Sequence, residues 1–275
     1  MSQDHNLYLQ NNEINSLIFD EKNEMAISIT TMSAQRISLY NVQMGYNLFK
    51  HLNISAAFSK EYGARGYYKG KNTSYTFSVG TNHKLLWAGD INFDEASRKG
   101  IIKIQKGINF VLNLGYSINH LNNFGENSGI YNAKDIRYNS LFAKLGFSYD
   151  YDWGNFSLFS IVNFNKYKYL RFTGTWIQDG YAEKVSNYFE DNDIIRVWSI
   201  NFHNEMGRRM IKFIFGMNIT VANSFGSILV PRNKNDTRNL VYIGTLFDLD
   251  KMGRMIKRTR NNELKKDKWS GFTIY

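Results

Sequence analysis

The sequence predicts an all-β chain, folded as an antiparallel up-and-down transmembrane β-barrel of about ten strands, within a range of eight to twelve. Three observations predict it. Apolar residues recur with a period of two along most of the chain. The faces opposite them are rich in Gly, Ser, Asn and Gln and poor in charge. Tight connections alternate with long polar ones, as they do between the two rims of an outer-membrane barrel.

Composition narrows the field first. The 275 residues suffice for one large β domain. There is no Cys, which excludes a disulfide framework, a cysteine zinc cluster and a thiol nucleophile. Phe 20, Tyr 18 and Trp 5 exclude global disorder. Asn makes up about one residue in eight, and there is one Pro. No run approaches the roughly 18 apolar residues of a membrane-crossing helix. Residues 1–20 have neither a basic n-region nor an apolar h-region, so they are not a signal peptide. The other features favour export, so a mature chain is expected. A cytoplasmic protein is the alternative.

Ten strands are expected in order. Residues 24–31 place Met25, Ile27 and Ile29 on one face. At 38–48 Tyr40, Val42, Met44, Tyr46 and Leu48 lie opposite Leu39, Asn41, Gln43, Gly45 and Asn47. At 52–60 the apolar set is Leu52, Ile54, Ala56 and Phe58, and at 74–86 it is Tyr75, Phe77 and Val79. At 108–119 Ile108, Phe110, Leu112, Leu114, Tyr116 and Ile118 oppose Asn109, Val111, Asn113, Gly115, Ser117 and Asn119. At 141–149 Leu141, Ala143, Leu145, Phe147 and Tyr149 oppose Phe142, Lys144, Gly146 and Ser148. The span 155–170 is apolar on both faces. At 194–206 the set is Trp198, Ile200 and Phe202. At 211–221 Ile211, Phe213, Phe215, Met217, Ile219 and Val221 oppose Lys212, Ile214, Gly216, Asn218 and Thr220. The last strand, 238–249, carries Val241, Ile243, Phe247 and Leu249. Several of these exceed the 5–6 residues of an ordinary strand and reach the roughly 9–11 needed to cross a bilayer.

Alternation alone does not say which face is outside. The non-apolar face holds small amides and hydroxyls instead of the Lys and Glu of a solvent face, which suits a hydrogen-bonded lumen. Lipid-facing positions are therefore expected at Tyr40, Val42, Met44, Phe110, Leu112, Leu114, Leu145, Phe147, Trp198, Ile200, Phe202, Phe213, Phe215 and Met217. Lumen-facing positions are expected at Asn41, Gln43, Gly45, Asn113, Gly115, Lys144, Gly146, Gly216 and Asn218. The links at 49–51, 150–154 and 207–209 are tight, and those at 61–73, 120–135, 172–193 and 223–237 are long. Short turns would face the periplasm and long loops the outside. The short link at 32–35 and the long one at 87–100 fit this scheme least. Phe49, Tyr62, Tyr67, Tyr68, Trp87, Tyr138, Tyr149, Tyr151, Trp153 and Phe172 sit near strand ends, where interfacial aromatic girdles belong.

On these features the chain resembles the small outer-membrane β-barrel proteins of Gram-negative bacteria. The opening SLIFDEKNEMAISI and the following NVQMGYNLFKHLNISAAFS look like the first hairpins of uncharacterised Bacteroidota barrels. The resemblance is architectural, covers roughly residues 20–250, and carries over no functional residue.

The expected organisation is an N-terminal periplasmic segment (1–20), a barrel (21–250) and a basic C-terminal segment (251–275). The last has eight basic residues against Glu263 and Asp267, so it holds +6 of the total +10. Its end, KWSGFTIY, resembles the terminal aromatic insertion signal of such barrels. Were 269–275 a strand, the count would change and 87–100 would hide another.

Chemical motifs are scarce. The five His (His5, His51, His83, His120, His203) show no metal-ligand spacing, so no metal and no cofactor is expected. No Walker loop, dinucleotide-binding glycine pattern or GxSxG appears. His120, at a strand end beside a loop with Glu126 and Asp135 and near Asn139, is the best catalytic candidate. No outward Ser completes a set with it. His203–Asn204–Glu205 cannot converge as a triplet on one strand, and Glu190, Asp191 and Asp193 lack the spacing of a calcium loop. Nucleic-acid binding is not expected, because the basic charge resides mostly in the tail. The expected function is a non-enzymatic outer-membrane barrel with a structural or interaction role and no wide pore. Its partners are outer-membrane lipid and envelope proteins met through the loops or the basic segment. A narrow channel or small-ligand carrier, an outer-leaflet lipid hydrolase and a soluble barrel binding an apolar ligand are the alternatives.

Overall fold

The computed structural model describes residues 23–34, 37–49, 51–62, 68–92, 101–127, 130–151, 154–174, 194–207, 210–223 and 239–260, with isolated positions between 177 and 190. Among the described residues eleven strands appear: β1 (Met25–Ala34), β2 (Ile37–Phe49), β3 (Leu52–Glu61), β4 (Tyr68–Gly70), β5 (Thr73–Asn92), β6 (Ile101–Asn127), β7 (Ile130–Tyr151), β8 (Gly154–Thr173), β9 (Ile195–Met206), β10 (Ile211–Asn223) and β11 (Asn239–Asp248). All pairings are antiparallel between sequence neighbours, except that β4 is a short side strand on the far end of β6. β1 pairs with β11, with Ala26 opposite Asp248, and this seam closes ten strands into an up-and-down barrel. The ten expected strands are the ten that close it.

The sheet has two rims. β1 starts and β11 ends at one of them, the terminus rim, where the β2–β3, β7–β8 and β9–β10 turns are tight. Gly207 takes a φ of 137° in the last of these, a conformation that L side chains rarely adopt. A helix, α1 (Leu249–Arg260), leaves the same rim directly from β11. Asp248 caps it by accepting a hydrogen bond from the Lys251 amide at 3.0 Å. Arg254 pairs with Asp250 at 2.8 Å one turn away. The basic segment therefore begins as a helix; its end, 261–275, lies outside the described residues, as do residues 1–20.

Two expected loops turn out to be strand. Residues 87–92 and 101–107 continue β5 and β6 as a hairpin beyond the terminus rim, with Asn92 opposite Ile101. At the opposite rim, β6 runs to Asn127 and β7 begins at Ile130, so most of 120–135 is paired backbone. These segments carry no regular period-two apolar face in the sequence, and the ladder of main-chain pairing extends through them. Within 155–170 the mixed phase resolves. Phe159 and Ile161 point inward, Phe156 and Leu158 outward, and a bulge follows, where Tyr138 opposes Tyr167 and Arg137 opposes Tyr169.

Candidate functional site

Two surfaces run along the described barrel strands, an outer one that is mostly apolar and an inner one rich in amides and hydroxyls. Outside, Phe213 is 66% exposed, Val42 39% and Leu112 36%; inside, Asn113 is 6% exposed. Met44, Leu114, Leu145, Phe147, Trp198, Phe202 and Phe215 are exposed on the same outer surface. Tyr40, Phe110, Ile200 and Met217 share it, half-buried against neighbouring outward side chains. Tyr40 packs against Tyr62 and Phe58, and Phe110 against Phe147. The inward positions Asn41, Gln43, Gly45, Asn113, Gly115, Lys144, Gly146 and Asn218 are buried, and Gly216 is half-buried. On β6 the outward apolar run spans Ile108 to Ile118. At about 3.3 Å per residue and a tilt near 40°, it stands about 25 Å tall.

Above that band the outer surface changes chemistry in one step. Continuing along the register, Lys60, Thr73, His120 and Arg137 stand side by side on β3, β5, β6 and β7. Phe49, Tyr62 and Tyr149 are exposed near strand ends, as expected of girdle positions. Tyr138 and Phe172 are not. Tyr138 is 1% exposed, shares the inward phase of Phe142 and Lys144, and stacks on Tyr167. Phe172 is 8% exposed because the β8 bulge shifts its phase inward. The side chains of Tyr67, Tyr68, Trp87 and Trp153 lie outside those described.

The lumen is layered. Met32, Leu39, Leu121, Ile136, Ile195 and Leu240 meet with Tyr138 and Phe172 in an apolar plug towards the rim opposite the termini, and the same cluster continues through Val197, Tyr242 and Ile214 to Ala26 and Leu246 near the terminus rim. Beneath the plug, Gln43 Oε1, Thr76 Oγ1, Asn113 Oδ1, Ser140 Oγ and both amide atoms of Asn218 are buried without a protein partner. Each would cost about 1–3 kcal/mol if left dry, so this layer calls for water or a polar solute. Nearer the terminus rim lies a bonded network. The Tyr242 hydroxyl donates to Asn201 Oδ1 at 2.9 Å and lies 3.0 Å from His203 Nδ1. His203 Nε2 is 3.2 Å from Glu205 Oε1, and Lys212 Nζ donates to Glu205 Oε2 at 2.9 Å. His203 and Glu205 share a face because they are two apart. Asn204 points the other way and accepts from the Tyr151 hydroxyl at 3.0 Å.

Outside, the extended hairpin brings His120 and Asp135 together. Nε2 lies 2.8 Å from Oδ1, and Arg137 reaches Oδ2 at 3.5 Å. Asn139 bonds the Tyr116 hydroxyl instead of joining His120. Thr73 stands directly across from His120 on β5, yet among the described residues no hydroxyl hydrogen-bonds to the imidazole. His51 and His83 stack at 4.7 Å by the terminus rim, a pairing that only strand register produces. Among the described residues no group of three metal-ligating side chains occurs. Glu126's side chain and the loop acids Asp191 and Asp193 are not among those described. No family model matches this chain, and no curated protein matches it either.

Proposed function

We propose that this chain is a bacterial outer-membrane barrel, of the small Bacteroidota-like type, with a structural or interaction role, no wide pore and no catalytic chemistry. One observation carries the reading: an outward, mostly apolar band, about 25 Å tall on β6, surrounds an interior lined largely by amides and hydroxyls. In water such a surface would be an aggregation liability; against hydrocarbon it is the favoured arrangement. The apolar plug across one mouth and the ion-paired network towards the other argue against free diffusion. Partners would be lipid around the band and envelope proteins at the projecting hairpins or at basic α1. The test is extraction and reconstitution. The protein should need detergent, fold into phosphatidylcholine vesicles, migrate faster on gels when unheated, and leave planar bilayers almost non-conducting. Release in high salt without detergent would reject the reading, and nanosiemens steps would reject the closed lumen.

The contact between His120 and Asp135 supports a second reading, an outer-leaflet lipid hydrolase, in which Thr73 would have to serve as nucleophile. Phospholipid turnover by the reconstituted barrel that disappears in His120→Ala would establish it. No turnover would remove it.

A further inference from the structure

We propose that the outward surface of β7, β8 and β9, at the rim opposite the termini, is a binding site for a glycolipid bearing phosphate monoesters. The inference rests on the membrane reading above and adds a ligand class to it. Five cations gather there: Arg137 on β7, Lys166, Lys168 and Arg171 on β8, and Arg196 on β9, all exposed. Register places them as neighbours, with Arg171 opposite Asp135, Lys166 opposite Asn139, and Arg196 opposite Phe164. The β8 bulge adds Lys168 to the row between Tyr167 and Tyr169.

Among the described residues paired in this register Asp135 is the one carboxylate, and both of its oxygens are engaged, one by His120 and one by Arg137. Five described cations therefore stand against that one described carboxylate. Arg137 is held in place, since its guanidinium also lies 5.4 Å over the Tyr169 ring. Guanidinium groups recognise phosphate by paired N–H donors, and a monoester offers more charge and more acceptors than a diester. Tyr116, Leu141 and Phe164 pair in one row beside Arg196 and towards the band from the other cations, with Trp198 next on β9, a surface on which acyl chains of the same lipid would rest. Around the barrel in the same register, the described residues of β1 and β2 present Thr31 and Tyr40.

The experiment is native mass spectrometry of the full chain in neutral detergent, titrated with diphosphorylated lipid A, phosphatidylglycerol or phosphatidylcholine. Lipid A should be retained at least tenfold more than either phospholipid. Arg137→Gln/Lys168→Gln/Arg171→Gln should lose at least tenfold of that retention, and Lys60→Gln, on β3, should not. Equal retention of phosphatidylglycerol would overturn the choice of a phosphate monoester. Undiminished lipid A binding by the triple variant would overturn the site. If the unmodified chain fails to fold into vesicles, the membrane reading falls first and this inference falls with it.

Discussion

The Tyr242 phenol occupies the space that Gly216 leaves on the neighbouring strand. A Cβ built on Gly216 would collide with the Tyr242 hydroxyl and with the Phe202 carbonyl oxygen. That vacancy lets the hydroxyl cross β10 and reach Asn201 and His203 on β9.

Gly216→Val should therefore destabilise the folded barrel by about 1–3 kcal/mol, the range for overpacking a filled site. Tyr242→Phe should cost about 1 kcal/mol, that of a net hydrogen bond. Urea titration of vesicle-reconstituted protein, read by the loss of the fast-migrating gel form, would measure both. A neutral Gly216→Val would contradict the packing described.

Glu205 is the hub between His203 and Lys212. Glu205→Leu leaves the Lys212 ammonium without its carboxylate and should cost about 3–5 kcal/mol. Combining it with Lys212→Met should recover part of that loss. The same urea titration, run as a double-mutant cycle, would give a coupling near zero if the pair were idle.

Inverted polarity makes paired positions diverge. Leu112→Arg, at mid-band on the outer surface, should destabilise the barrel by about 2–4 kcal/mol in a bilayer. The same change at Thr73, level with the Lys60–His120 row, should cost at most about 1 kcal/mol. Refolding into phosphatidylcholine vesicles compares the two, and equal costs would mean that no hydrocarbon faces Leu112.

The plug predicts what would open the lumen. Leu121→Ala together with Tyr138→Ala removes two of its buried side chains. Single-channel recording should show discrete conductance in this variant and nearly none in the parent. Silence in both would place a further constriction below the plug.

The period of two carried much of this architecture, because a strand with one face in an apolar medium must alternate. Asn113 against Leu112 and Gly216 against Phe213 could be placed from the sequence alone. Tyr138 was readable too, since it shares the even phase of Lys144. Phe172 was not, because only the pairing of β7 with β8 reveals the bulge that resets its phase. The hairpin extensions were hidden for a related reason: strand held by main-chain pairing, without a regular apolar alternation, leaves no trace in hydropathy. The contact of His120 with Asp135 depends on those hidden residues, as does the plug, whose members stand singly amid polar neighbours.

The pairing of Ala26 with Asp248 has a bearing on biogenesis. Every intermediate that lacks β11 exposes two raw sheet margins, because β1 pairs with β11, the last strand among the described residues. Chains lacking β11 should thus accumulate as degraded or clumped material.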